Sequence, residues 1–545
     1  MKKLFGDLQQ PRDGKSLGKM IKDEIGSTGG YAAMIGTLAI IIILISVLGL
    51  IVVKALMHSP WGSFTVLMTI PIAMLVGIYL YKIRPGGVLE ASIAGVALFL
   101  LAVYGGEFIQ HSPTLAPFFN RDGKFIAISI IVYGFAAATL PVWLLLTPRD
   151  YLSSFLKVGT ILLLAIAIFI FRPELQMPAI TPFVAGNGPI FSGKIFPFLF
   201  ITIACGAISG FHALVASGTT PKMISDERDV RMIGYGSMLI ESFVAIMAII
   251  AASILDPGVF FAINGSNISQ CGNAAEIVST WGFPITREKM DLLAWQMGES
   301  SLFGRAGGAP SLAVGMATIF SSAFGGIGFG GVGKGQRFMM TMWYHFAIMF
   351  EAVFILTTLD AGTRVARFML EDLLKFRDKK LHESTIAAIF SSFVIVGLWG
   401  YFLYMGVLDP NGGINILWPL FGMSNQMLAG IALTLATVLI LKSERKKWFF
   451  IAAIPLAFIL TTTTWAVIEK VFSSDVTLGF LAKAQDLKSQ IDSKLIFEET
   501  SVALTKRTIF NNRLVAAIAL GFLTILWVVV IDAAGAVANP QTISS

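Results

Sequence analysis

AAMIGTLAIIIILISVLGLIVV, residues 32–53, runs for 22 residues without one charge. A helix that crosses the hydrocarbon of a bilayer needs about 20 such residues. Comparable runs follow at 64–81, 88–104, 125–147, 151–171, 195–217, 234–255, 310–325, 338–358, 385–406, 418–441, 448–468 and 513–533. Unpaired backbone groups are not tolerated in lipid, so all are read as helices despite their Val, Ile and Phe content. The fold class is an all-α polytopic membrane protein with about 12–13 transmembrane helices.

Composition agrees. Of 545 residues, 55% are hydrophobic and 13% charged, with mean hydropathy +0.77. A soluble globular chain carries about 25% charged residues, so a soluble enzyme, a disordered chain and a nucleic-acid binder are all excluded. The net charge of +7 is the excess expected of cytoplasmic loops. Two cysteines, Cys205 and Cys271, imply no disulfide framework. The mixed-charge start, MKKLFGDLQQPRDGKSLGKMIKDEIG, is not a signal peptide.

Basic residues cluster in 1–22, at Lys82/Arg84, Arg149/Lys157, Lys222/Arg228/Arg231 and in KSERKK (442–447). Counting crossings from a cytoplasmic N-terminus puts each cluster on the cytoplasmic side. The count fails once, at the basic stretch 364–380. One element between 305 and 358 is therefore expected to be re-entrant or broken. The long stretch 256–309 faces outward, and so does 470–512, where Leu481, Ala484, Leu487, Ile491 and Leu495 share one helical face. The chain divides into a cytoplasmic segment 1–31, a membrane core 32–441 with accessory helices from about 338, and C-terminal helices 442–545 with an amphipathic outer segment near 475–500.

Gly326-x-Gly328-x-x-Gly331 matches a dinucleotide fingerprint but follows a membrane run, not a strand, and is discarded. No catalytic or metal-binding spacing occurs, so neither an enzyme nor a cofactor is expected; the ion expected among buried polar groups is a proton or sodium. The informative residues are polar ones within apolar runs, which face a protein interior or a water-filled path. His212, Glu241, His345 and Glu351 are the proton-relay candidates. Asp360 and Arg364, spaced i, i+4, read as a local pair. Two runs look broken: 125–147 at Gly134, Ala137 and Pro141, and 195–221 around Ser217, Thr219, Thr220 and Pro221. Such breaks offer backbone groups to substrates in transporters; small-residue packing is the alternative.

SPWGSFTVLMTIPIA (59–73), YGFAAATLPVWLLLTPRDYLSSFLKVGT (133–160), SGFHALVASGTTPK (209–222), GRAGGAPSLAVGMA (304–317), WYHFAIMFEAVFILTTLDAGTRVARFMLEDLL (343–374) and LWPLFGMSNQMLAGIAL (417–433) together resemble the carbon starvation protein A (CstA) family of bacterial inner-membrane transporters. The resemblance implies a five-plus-five inverted-repeat (LeuT-like) core and uptake of peptides or of small carboxylates such as pyruvate, the latter with protons. It also implies membrane segments ahead of SLGKMIKDEIG (16–26). On that count 32–53 is the third helix of the first repeat, 125–147 the sixth and 195–217 the eighth, and the first helices of repeat 1 are expected to be missing here. An upstream start, a second chain, or a form unable to transport would each explain that. The expected site lies midway between 125–147 and 195–221. Backbone at Gly134–Pro141 takes the carboxylate there, and Ser217, Thr219 and Thr220 line a cation or proton site. The partners are a peptide or small carboxylate and the lipid bilayer, with no nucleic acid, and the sequence sets no oligomeric state. The alternative function is a nutrient-sensing receptor.

Overall fold

The computed structural model describes the chain except residues 1–14, 141–143, 145, 187, 219, 221–223, 225, 266–267, 269–272, 325–333, 375–384, 409–413, 445, 494–498 and 539–545. Helix α1 (Leu17–Glu24) buries Leu17, Met20 and Ile21, the i, i+3, i+4 stripe of an amphipathic helix. It lies against the start of α2 (Ser27–Leu56), where a side chain at Gly30 would sit 2.5 Å from the Lys22 backbone. The turn between the two is made at Gly26, whose φ of 151° only glycine adopts freely. The helix thus begins at 27, five residues ahead of the uncharged run at 32–53.

Next come α3 (Pro60–Ile78), α4 (Val88–His111), α5 (Gly123–Thr139) and α6 (Leu146–Phe171). The single apolar run 195–217 is three short helices, α7 (Ile195–Thr202), α8 (Ala204–Ile208) and α9 (Gly210–Gly218), followed by α10 (Asp229–Ser253). Four more, α11 (Pro257–Asn264), α12 (Ala274–Thr280), α13 (Arg287–Met297) and α14 (Ala309–Phe324), precede the 40-residue α15 (Lys334–Leu373). The chain closes with α16 (Thr385–Val407), α17 (Ile414–Lys442), α18 (Phe450–Phe472), α19 (Phe480–Asp492) and α20 (Glu499–Ala538).

Among the described residues, ten helices are long and apolar enough to cross a membrane, while α5 and α14 are shorter. Contacts fix which ends share a face. Arg84 pairs with Glu90, and Tyr151 bonds Ser92. Arg364 reaches the end of α5, Lys442 reaches Glu24, and Asp532 accepts from the Gly29 N–H at the start of α2. All these lie on one basic face. On the opposite face Gln110 bonds Gly298 O, and Thr341 bonds Gln296 O.

Helix α14 both starts and ends on that opposite face. It leaves the loop where Gly304 bonds Ala262 O, packs Gly315 against Ala251 near the end of α10, and finishes beside the first turns of α15. It is the element that does not cross, and α15 therefore ends on the basic face with Arg364 and Arg367. Within the amphipathic stretch near 475–500 lies α19, with Phe480 and Ala484 buried.

Candidate transport site

The break in 195–218 is held open by two amides from α17. Ile203 and Ser209 leave helical geometry and release backbone groups, which in a membrane interior need internal partners. Asn425 Oδ1 accepts from the Phe211 N–H at 2.9 Å and the Ser209 hydroxyl at 3.5 Å. Gln426 Nε2 donates to Phe200 O at 2.8 Å, and its Oε1 accepts from Thr463 at 2.9 Å. Sequence reasoning found the break but not the SNQ amides that satisfy it. An Asn-Gln pair inside an apolar run was the signal.

The end of α5 is satisfied by arginines. Arg364 Nη2 donates to Ala137 O at 2.7 Å and Leu140 O at 2.9 Å, and Arg367 Nη1 donates to Ala138 O at 2.8 Å. Arg364 is thus occupied by carbonyls, and the expected local pair with Asp360 gives way to a different one. Asp360 Oδ2 faces Arg149 Nη1 at 3.3 Å and accepts from the Tyr133 hydroxyl at 2.5 Å; Arg149 also donates to that hydroxyl. Both charged side chains are 1% exposed. A buried ion pair is expensive to desolvate, and at membrane depth such pairs mark functional interiors.

Of the candidate substrate residues, Gly134 packs under Trp399, where a Cβ would lie 2.7 Å from the indole. Ala137 offers only its carbonyl, already bonded to Arg364. Pro141 and Thr219 lie outside the described residues. Ser217 and Thr220 return their hydroxyls to Leu214 O and Val215 O. Helix α5 packs on α16, α2 and α15, whereas α9 packs on α17, α15 and α1. Among the described residues, α15 packs against both broken elements: Arg364 bonds Ala137 O at the end of α5, and its neighbour Val365 lies against Gly218 at the end of α9.

Two of the four relay candidates do meet: His212 Nδ1 lies 3.4 Å from Glu241 Oε1, both half-buried. His345 is buried on α15 and stacks on Trp61, ring centroids 4.3 Å apart; among the described residues neither ring nitrogen is hydrogen-bonded. Glu351 lies six residues further along α15, half-buried.

Above His345 opens a chamber of about 980 Å³ on the face opposite the basic loops. Trp61, Trp295 and Phe338 wall it, Glu107 and Glu299 supply negative groups, and Arg337 supplies a positive one. Arg337 is itself seated on the Trp295 ring, 4.0 Å from its centroid. Glu299 is paired with Arg305 at 2.8 Å. Burial raises the Glu299 carboxyl above its ordinary value although Arg305 opposes the shift, and the arginine's own pKa is raised by that carboxylate in spite of its burial. Among the described residues no cluster of His, Cys, Asp and Glu fits a metal ion.

A family model described as carbon starvation protein CstA matches residues 8–466. The chain belongs to the CstA family. Peptide transporter CstA of Escherichia coli is 49% identical over 525 residues, 94% of this chain and 74% of that protein. Pyruvate/proton symporter BtsT of the same organism is 46% identical over 547 residues, 95% of this chain and 75% of that protein. Peptide transporter CstA of Bacillus subtilis is 40% identical, covering 88% and 75%. A manganese transporter of Eremococcus coleocola aligns with 98% of this chain and 94% of its own at a TM-score of 0.27 and 13% identity, a likeness too slight to carry an argument. The chain is a multi-pass membrane transporter of the CstA family, and its named relatives are transporters.

Proposed function

We propose that this chain is a proton-coupled uptake system for short peptides or small carboxylates such as pyruvate, in the inner membrane of a bacterium with its N-terminus in the cytoplasm. The observation that supports it is the chamber on the face opposite the basic loops. Its two signs of charge suit a zwitterion or a carboxylate, its indoles suit an apolar side group, and its volume lies within the range of small-molecule sites. Basic loops mark the cytoplasmic side, so the chamber opens outward. The coupling ion is the proton; the half-buried His212–Glu241 pair and His345, stacked behind Trp61 of the chamber wall, are titratable groups able to carry it. No cofactor takes part. An inverted-repeat core, as the family resemblance implies, would give the rocking motion that alternating access needs.

Full-length protein in liposomes, given an inward proton gradient, is expected to accumulate labelled pyruvate or dialanine saturably, with collapse on adding a protonophore. Flux that is absent, unsaturable or indifferent to the gradient overturns the reading. Binding without flux would instead mark a sensor.

A further inference from the structure

A second cavity, of about 310 Å³, lies between α2, α3 and α5. Its walls are apolar, among them Val66, Ile130 and Leu356, and its polar end is Tyr133 with Arg149. Arg149 uses one nitrogen, Nη1, for Asp360 and Tyr133. Among the described residues, its Nε and Nη2 are buried without a hydrogen-bond partner, as is Asp360 Oδ1. The Nε–Nη2 edge of a guanidinium is the planar fork that accepts a carboxylate with two parallel hydrogen bonds. Leaving that edge unpaired in a buried site costs free energy, and a purely structural ion pair has no reason to retain it.

We propose, building on the transport reading, that Arg149 anchors the substrate carboxylate and that Asp360 is the proton-coupling carboxylate competing for the same guanidinium. With Asp360 ionised, Arg149 is neutralised and the site rejects a second anion. Protonation of Asp360 on an oxygen releases the arginine, whose fork then takes the incoming carboxylate. One proton and one carboxylate enter together and leave together, with net charge in the site unchanged.

The other charged groups nearby are Asp150 and Lys157 on α6, Arg364 on α15 and, lining the same cavity, Arg121, whose Nε donates to Phe118 O. Lys157 is held by Thr357 at 3.0 Å and Arg364 by carbonyls. Helices α3, α14 and α16, also packed here, carry no charged residue, and α2 carries only Lys54, near its end at the chamber face. The ligand class is a monocarboxylate with a small apolar body, either a free acid or the C-terminal residue of a peptide. Peptides and pyruvate, for which the relatives are named, share that group.

The test uses the full chain, in detergent for pyruvate affinity between pH 5.5 and 8 and in liposomes for flux. Wild-type affinity is expected to fall about tenfold per pH unit once Asp360 ionises, as one linked proton requires. Asp360→Asn is expected to keep pyruvate counterflow, lose the pH dependence and lose uphill accumulation. Arg149→Lys, which keeps charge but not the fork, should weaken binding at least tenfold. Arg149→Gln with Asp360→Asn leaves no unpaired buried charge, so it should fold, checked by gel filtration, yet not transport. Tyr133→Phe, the mildest change, removes a donor to the ionised Asp360, so the affinity loss should begin at higher pH. C-terminal amidation of dialanine separates the two sources: peptide uptake is lost with it if the terminal carboxylate is the anchor, while pyruvate uptake is unaffected. Proton-driven accumulation by Asp360→Asn, transport by the double variant, or an unmoved pH profile in Tyr133→Phe overturns the assignment. A wild-type protein without uptake would fail the transport reading itself.

Discussion

At the scale of single residues, space decides as much as charge. A Cβ at Gly210 would lie 2.3 Å from Leu428 Cβ and 2.4 Å from Asn425 O, so no flexible tip is available to move. At Gly206, four residues earlier in the same broken segment, nothing lies within 4 Å. Gly210→Ala is therefore expected to cost about 1–3 kcal/mol by overpacking, seen as a clear fall in the melting temperature of purified protein. Gly206→Ala should be neutral or slightly stabilising by helix propensity. Equal melting temperatures for the two variants would contradict the packing at α9. Neither difference is written in the sequence, where both are glycines in one apolar run. Arg149 and Asp360 were half-legible. Each is a charge beside an apolar run, which physics marks as costly, but 211 positions separate them, and the nearer Arg364 offered Asp360 a simpler i, i+4 partner. Only the packing of α15 against α6 shows which arginine it takes.

At the scale of elements, the apolar runs located the helices well, because a helix in lipid needs only length and hydrophobicity. Breaks were legible too, through Gly, Ala and Pro. What periodicity cannot supply is the partner of each break. The sequence expectation gave the end of α5 to a substrate carboxylate. That end is a C-terminus, which exposes carbonyls and carries the negative end of the helix dipole, so it draws cations. Arg364 and Arg367 fill the role from α15. Arg364→Ala leaves two carbonyls without their charged donor and should destabilise the protein by about 1.5–3 kcal/mol. Arg364→Lys should recover part of that, since one ammonium can reach only part of a planar fork's geometry. The check is a denaturation midpoint for the three proteins side by side. An alanine variant as stable as wild type would show that the carbonyls find other donors.

At the scale of the whole molecule, the direction of the transporter rests on which face is which. Among the described residues, twelve passes follow when α5 and the broken α7–α9 segment are added to the ten long helices and α14 is left out. An even number returns α20 to the face where α2 starts, and the contact of Asp532 with Gly29 meets that requirement. Moving α14 into the count would put Arg364, Arg367 and the lysines after them with the chamber, against the charge bias of every other loop. The arrangement is open to a direct check. In a protein with Cys205→Ser and Cys271→Ser, single cysteines at Gly86 or Lys446, exposed on the basic face, should resist a membrane-impermeant maleimide in intact spheroplasts and react only after lysis. Single cysteines at Glu288 or Lys488, exposed on the chamber face, should react at once. The reverse pattern would turn the chamber toward the cytoplasm and make it an exit. A mixed pattern within one face would mean that α14, not the 195–218 segment, completes the crossing.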